Sequence, residues 1–420
     1  MARSKKGAEA EEAASHNDMR MLYRIVRDLT GAQTNTNVPV RGKDGKVLLT
    51  EREQSARWVE HFNEVLNQPE PDELFSFDNE SDLGPIEGSL EDFQISETAK
   101  AIRKLKNNKA AGLDEIPAEL LKQGGEPVTE ALTELFNKIW HAEEIPEEWR
   151  EGIIIPLSKK GCLSDCNNWR GITLLSVPGK VFCSMLFNRL KTQVGQRLRE
   201  EQAGFRSGRS CTEQILILRN IIEQSRKWQK DVFVNFVDFK KAFDSIHRDT
   251  LWKILQLYGI PQKYINIFQA LYRHTRCCIR INKGVTDMFD ILTGVRQGCI
   301  LSPFLFLIVI DFLMRRTVDG RDYGIPWGTG KLTDLDFADN IALISNSSLA
   351  LQSMTNELQG NAAKVGLRIS AEKTKAIAVG NTQVLSLSVE HKTQNLWKTS
   401  NTLAATYQET VMQTMTYIHG

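Results

Sequence analysis

Two acids in this chain are placed to do chemistry together. Asp238 lies in Phe233-Val-Asn-Phe-Val-Asp238-Phe-Lys-Lys-Ala-Phe243-Asp244, and Asp339 lies 101 positions later in Phe337-Ala338-Asp339-Asn340. Each ends or follows a run of β-branched and aromatic residues, the signature of a strand. Two strands that each deliver a carboxylate to one place can hold a pair of Mg2+ ions. Such a pair activates a hydroxyl nucleophile and steadies a leaving pyrophosphate, which is the chemistry of a polymerase site. The residue after the second acid is Asn340. Asparagine keeps the shape and one oxygen ligand of a carboxylate but removes its charge, so it weakens metal affinity.

The elements that must position these acids follow from hydrophobic periodicity and turn residues. Residues 1–30 read as a frayed Ala/Glu-rich start leading into an amphipathic helix with Met19, Leu22, Ile25, Val26 and Leu29 on one face. Val38–Leu49 reads as a hairpin turning at Asp44-Gly45, and 51–66 as a second helix with Trp58, Phe62, Val65 and Leu66 together. Helices are expected at 96–106, 118–122, 180–198, 211–228, 240–258, 261–273 and 301–316. Strands are expected at 152–159, 232–238 and 277–281, and a hairpin at 332–345. No internal repeat is visible.

A chain of 420 residues with 41% apolar and 25% charged residues is long enough for two or three subdomains and has a globular composition. No run approaches the length of a membrane span, and Met1-Ala-Arg-Ser-Lys-Lys lacks the apolar stretch of a secretory signal. Seven cysteines, odd in number and irregularly spaced, suggest a reduced intracellular protein of the cytoplasm or nucleus. Cys162 and Cys166 could open a metal site, but no second pair follows. The net charge of +1 conceals a division. Ten acids and no Lys or Arg lie between Glu70 and Glu97, whereas fifteen Lys and Arg against six acids lie between Arg150 and Lys230. The acidic block, with Pro71, Gly84 and Pro85, reads as a linker. The basic block fits a phosphate backbone, although part of it, such as Arg197, Arg199 and Lys227, reads as a solvated helical surface.

Seven motifs occur in an order that resembles the reverse transcriptase region of a non-LTR (LINE-type) retrotransposon endonuclease–reverse transcriptase. They are Asn108-Lys-Ala-Ala-Gly-Leu-Asp114, Trp169-Arg-Gly-Ile-Thr-Leu-Leu175, Gln202-Ala-Gly-Phe-Arg-Ser-Gly-Arg-Ser210, the Asp238 segment, Gly294-Val-Arg-Gln-Gly-Cys-Ile-Leu-Ser-Pro303, the Asp339 segment and Gly366-Leu-Arg-Ile-Ser-Ala-Glu-Lys-Thr-Lys375. Any one is weak; their common register spans roughly residues 20–396. The stretch from Arg57 to Asn67 resembles the connector that joins the family's endonuclease to its polymerase.

The resemblance implies roles. Asp238 and Asp339 would be the ligands of two Mg2+ ions, with Mn2+ a possible substitute, and Asn340 stands where the family has a second Asp. Some viral RNA polymerases also use Asp-Asn at this place. Lys373 matches a loop lysine that could protonate pyrophosphate. Lys159, with Lys160 an equal candidate, and Arg170 resemble cations that hold a triphosphate. Phe239 and Phe243 belong to the same nucleotide site, Phe243 as the gate against a ribose 2′-hydroxyl. Gln297 would pack on the incoming nucleotide, while Gly298 would let the template pass close to the backbone. Asp244 is expected to cap or anchor the helix after it. Arg206, Arg209 and Lys180 are candidates for nucleic-acid contact.

The expected architecture is α+β, a right-hand polymerase with the thumb largely missing. Its units would be an N-terminal helical extension (1–68), an acidic linker (69–95), fingers (96–230), a palm carrying both acids on an antiparallel sheet (231–380), and a C-terminal tail (381–420). The family continues with a primer grip and thumb, but here the chain reads on from Leu396 quite differently. Codons permitted for Leu396–Thr416, read in the neighbouring frame, can encode a Tyr-Leu-Gly-Ser segment. A frameshift near Leu396 is therefore expected, with no defined fold from 397 on. The implied reaction is RNA-directed addition of deoxynucleotides to a DNA 3′-end, with an RNA template, a DNA primer and no membrane. Nothing in the chain supplies a nuclease. The alternatives are an inactive retrotransposon-derived fragment that binds nucleic acid, and an RNA-synthesising polymerase, which Phe243 disfavours.

Overall fold

The computed structural model describes Glu11 and residues 40–398, apart from 79–82, 160, 282–283, 381–385, 391 and 396. The helix expected within 1–30, Lys160 and the tail beyond 398 lie outside the described residues. In chain order, the elements that build the site are α1 (Glu51–Leu66), β1 (Glu151–Ser158), β2 (Trp169–Leu174), α2 (Val177–Arg197), α3 (Cys211–Lys227), β3 (Val232–Val237), β4 (Arg276–Ile281), α4 (Leu301–Val318), β5 (Asp334–Phe337), β6 (Asn340–Ser345), α5 (Ser348–Ala363) and β7 (Lys375–Val379).

These strands form two sheets. One runs β7-β3-β6-β5 with every pair antiparallel, and Trp397–Lys398 adds parallel to the outer side of β7. The other runs β2-β1-β4, with β1 parallel to β4 and short strands at Gly284–Val285 and Phe289–Asp290 completing it. The mixture of helices and antiparallel-rich sheets is the α+β class expected.

β3 explains why its sequence is apolar at nearly every position. Phe233 and Val237 face the main core, and Val232, Val234 and Phe236 pack on the opposite face against Leu218, Ile221 and Ile222 of α3. A strand covered on both faces loses the apolar–polar alternation of a surface strand. Its one polar member, Asn235, is fully buried and donates to Thr355 Oγ1 of α5 at 3.0 Å. Beneath this sheet, α4 is buried along nearly its whole length, which accounts for the apolar run from Phe304 to Ile310. No helix among the described residues is long and apolar enough to cross a membrane.

Several expectations about organisation need correction. The acidic segment expected to be a linker is instead extended chain pinned to the core. Phe75, Ile86 and Phe93 are buried in it, and Arg197 donates to the carbonyls of Gly84 and Tyr258, each at 2.6 Å. Arg197 and Arg199 are therefore not solvated surface: Arg199 grips the buried Asp334 with two hydrogen bonds of 2.7 and 2.9 Å. Nor is α1 a separate extension. Trp58 and Phe62 pack against Ile154, Cys277 and Ile279 of the second sheet. A Cβ on Gly171 would stand 2.7 Å from the Phe62 ring, so only glycine lets that helix seat. The helix expected over 240–258 is two, Ala242–Ser245 and Arg248–Leu257, broken at Ile246-His247. The boundary drawn at 380 also falls inside the packing, since Leu387 and Val389, on the hairpin Ser386–Val389/Lys392–Asn395, are buried in the main core. The helix Gly125–Ala142 and α5 were not anticipated.

Candidate active site

The register of the antiparallel sheet brings the two acids together. β3 ends at Val237, opposite Ile341 of β6, so Asp238 emerges at the end of the sheet where β5 turns into β6. That turn has two residues, Ala338 and Asp339, closed by the pair Phe337↔Asn340. Burial raises the Asp339 carboxyl above its usual range, and the charge of Asp238 raises it further. Burial likewise raises Asp238, while Lys373, whose Nζ lies 3.3 Å from Asp238 Oδ1, opposes the rise. Two desolvated, mutually repelling carboxylates with one nearby ammonium are short of positive charge. Hard oxygen donors in that condition fit a divalent cation. Asn340 donates from Nδ2 to Asp339 Oδ1 at 3.4 Å, a contact that orients Asp339 without adding charge.

Further cations gather around Asp244, and Lys373 links them to the two acids. Lys159 follows β1, and Arg170 sits on β2 opposite Leu157. Burial lowers the Lys159 ammonium, as do its neighbours Lys373 and Arg170, while Asp244 raises it. Lys241 joins this group on a left-handed backbone, φ 49°. Its ammonium is lowered by burial and raised by Asp244. In the sequence, the one signal that marks Lys241 is its place in the Asp238 segment directly before Ala242-Phe243. From α1, His61 packs into the same region, and burial and Lys241 push its imidazole down to about 4.

Phe243 is half-buried with its ring stacked on Phe306 of α4 at 4.4 Å and 12°, and Phe205 meets it edge-on at 6.4 Å. The two contacts hold the ring in place. Phe239, by contrast, is 3% exposed in the core and bridges Ile369, so its ring does not face a nucleotide. Asp244 does not cap a helix. Both of its oxygens accept from Nε2 of Gln297, at 2.9 and 2.8 Å, which leaves the Gln297 Oε1 to face elsewhere. Gly298, with φ 120°, is forced by protein rather than by room for a template: a Cβ there would stand 2.3 Å from the Thr173 carbonyl of β2.

The expected nucleic-acid residues divide. Arg206 is spent on structure, donating to the carbonyls of Arg199 at 2.6 Å and of Gln202 and Gly195 at 2.9 Å. Arg209 is exposed and paired with Glu200. Lys180 is half-buried beside a narrow cavity lined by Trp149, Cys183, Tyr272 and Cys299. The basic composition of this block therefore overstates the charge free to meet a phosphate.

One carboxylate at a hairpin tip therefore stands beside a second at the end of the neighbouring strand, with cations and an aromatic stack in the same region. Residues 157–402, more than half of the chain, match the family described as reverse transcriptase (RNA-dependent DNA polymerase). The chain belongs to that family. It is 26% identical to the transposon TX1 uncharacterized 149 kDa protein of Xenopus laevis over 69% of this chain and 22% of that protein. It is also 26% identical to the Pol polyprotein of a type-1 retrotransposable element R2 of Nasonia vitripennis, over 60% of this chain and 24% of that one. A third relative is the probable RNA-directed DNA polymerase from transposon BS of Drosophila melanogaster, at 26% identity over 68% and 32%. The chain thus spans 22–32% of the length of these relatives. Among solved structures, apo telomerase from Candida tropicalis, truncated from the C-terminal domain, is similar at 15% identity, 64% and 59% coverage and a TM-score of 0.43.

Proposed function

We propose that this chain extends a DNA 3′-end along an RNA template with deoxynucleoside triphosphates, using Asp238 and Asp339 as the ligands of two Mg2+ ions. The observation that carries the reading is the convergence of these two acids, 101 residues apart in sequence, at one end of neighbouring strands beside Lys159, Arg170, Lys241 and Lys373. Bound divalent cations, Mg2+ or Mn2+, supply Lewis acidity toward the attacking hydroxyl and the departing phosphate oxygens. The remaining roles belong to side chains. Lys159, Arg170 and Lys241 attract and orient the triphosphate. Phe243, stiffened by Phe306, excludes a 2′-hydroxyl. Asp244 fixes which end of the Gln297 amide meets the nucleotide. Lys373, exposed and paired with Asp238 across 3.3 Å, hands a proton to pyrophosphate. Arg209 and Lys180 are left to guide the nucleic-acid strands, and the seven free cysteines suit a reducing compartment, cytoplasm or nucleus.

Primer extension on an RNA template with the four deoxynucleotides tests this, with Asp238→Asn as control. Elongation that survives Asp238→Asn refutes the assignment. A second reading, a nucleic-acid binder that no longer extends, is favoured by Asn340 alone. It is marked by salt-dependent binding of RNA with no extension in Mg2+ or Mn2+.

A further inference from the structure

The turn that carries Asp339 is strained, and one side chain outside the sheet holds it. Ala338 has φ 57°, while Asp339 is not among the residues of positive φ. Positive φ at only the first position of a two-residue hairpin is the II′ pattern, in which glycine is the usual occupant. Alanine there pays a steric cost, because its Cβ crowds the following carbonyl, so the surroundings must enforce the conformation.

The enforcing piece is the segment from Glu201 to Gly204. It lies along the edge strand β5 as a parallel addition: Gln202 bridges Asp336, Ala203 N–H donates to the Asp336 carbonyl at 2.9 Å, and Asp336 N–H donates to the Glu201 carbonyl at 3.0 Å. Gln202 is 1% exposed, and both ends of its amide are used. Oε1 accepts from the N–H of Ala338 at 2.9 Å and of Gly204 at 2.7 Å. Nε2 donates to the Ala338 carbonyl at 3.4 Å. One side chain thus grips both polar groups of the residue that precedes Asp339. Contact is so close that a Cβ on Gly204 would stand 2.2 Å from Ala338 N.

The segment is itself braced. Arg199, just before it, grips Asp334 on the same strand, and Arg206, just after it, binds three carbonyls including that of Gln202. Sheet edge, turn and strap therefore form one rigid assembly around the Ala338 peptide.

We infer that Gln202 is a positioning residue for Asp339: it holds the Ala338–Asp339 turn in the conformation that aims the Asp339 carboxylate at the site shared with Asp238. The inference rests on the reading of Asp339 as a metal ligand. Without the amide, two buried N–H groups lose their acceptor and the turn relaxes away from positive φ. Gln202 needs no contact with nucleotide or metal to act.

The test is direct binding of Mn2+ to the full chain, followed by electron paramagnetic resonance, for the parent and for Gln202→Met, Gln202→Asn, Gln214→Met and Asp339→Asn. Gln214 is the control for general damage, since its Nε2 donates to the Glu201 carbonyl at 3.2 Å and braces the same segment without touching the turn. Gln202→Met is expected to weaken Mn2+ binding about tenfold, the order found when partners that orient metal ligands are removed. Gln202→Asn, whose amide falls short of Ala338, reads the same effect should the methionine variant not fold. Gln214→Met leaves the affinity unchanged. Adding Ala338→Gly to Gln202→Met restores binding, because glycine adopts the turn without help. If Asp339→Asn binds Mn2+ like the parent, the ligand assignment is what fails. If Asp339→Asn weakens binding while both Gln202 variants do not, or if Gln214→Met weakens it equally, the positioning role is overturned.

Discussion

Both carboxylate oxygens of Asp244 accept hydrogen bonds from a single nitrogen, Nε2 of Gln297, at 2.9 and 2.8 Å. Burial is the larger influence on this acid and lifts its pKa from 3.8 to about 7, against the opposing pull of Gln297, Lys241 and Lys159. A carboxyl raised on folding stabilises the native state while protonated. That contribution is complete below the unfolded value and is lost as the pH climbs through about 7. The unfolding free energy is therefore expected to fall between about pH 5 and about pH 8 by on the order of 2–4 kcal/mol through this group. Asp244→Asn has no proton to lose and flattens the decline. Urea melts at the two pH values measure it, and an equal decline in parent and variant contradicts the account.

Phe243→Ala removes the ring that stacks on Phe306. The ratio of kcat/KM for ribo- over deoxynucleotides is expected to rise by about tenfold or more, a change of at least about 1.4 kcal/mol in discrimination. Single-nucleotide incorporation with both sugar types gives the ratio directly. An unchanged ratio removes Phe243 from sugar selection.

Asn340→Asp returns a second charge to the tip of the hairpin, next to Asp339. Mg2+-supported extension is expected to rise about tenfold, the order of one charged ligand added to a partly dry site. Extension rates over a Mg2+ titration report it. A variant no faster than the parent at every concentration shows that Asn340 costs the site nothing.

Arg199→Met leaves Asp334 buried without its partner, beside Asp336, whose Oδ1 already lacks a hydrogen bond. Uncompensated burial of that kind costs about 3–5 kcal/mol. Denaturant melts should show the loss, and a cost below about 1 kcal/mol would mean that water reaches the pair.

What the sequence made legible was the chemistry and the regular elements. The convergence of Asp238 and Asp339 could be read because each stands at the end of a strand-like apolar run. α1 could be read from its apolar periodicity, and β3 and α4 from nearly unbroken apolar runs. The partners of polar groups were not legible. Arg199 and Arg206 look like any surface arginine until the chain folds a carboxylate or three carbonyls around them. Gly298 looked like room for a template, and its neighbour proved to be Thr173. The helix Gly125–Ala142 was hidden by Gly124-Gly125-Glu-Pro, which reads as a break, although a proline in the first turn is compatible with a helix. The strap from Gln202 to Gly204 could not be foreseen, because its role depends on the neighbouring strand having a free edge.

The seating of α1 has a consequence for how this chain is made. Its C-terminal end is fastened by residues that emerge far later: Asn67 Oδ1 accepts from the Leu292 N–H at 2.7 Å, and Thr293 Oγ1 donates to the Leu66 carbonyl at 2.9 Å. On the ribosome, the end of the helix must therefore wait unfastened while more than two hundred residues are added, and Trp58 and Phe62 stay uncovered at least until Ile154 and Trp169 emerge. Such distant closure slows folding and lengthens the time that apolar surface is open to other chains. This helix is thus fastened long after it is made, and its docking covers the second sheet.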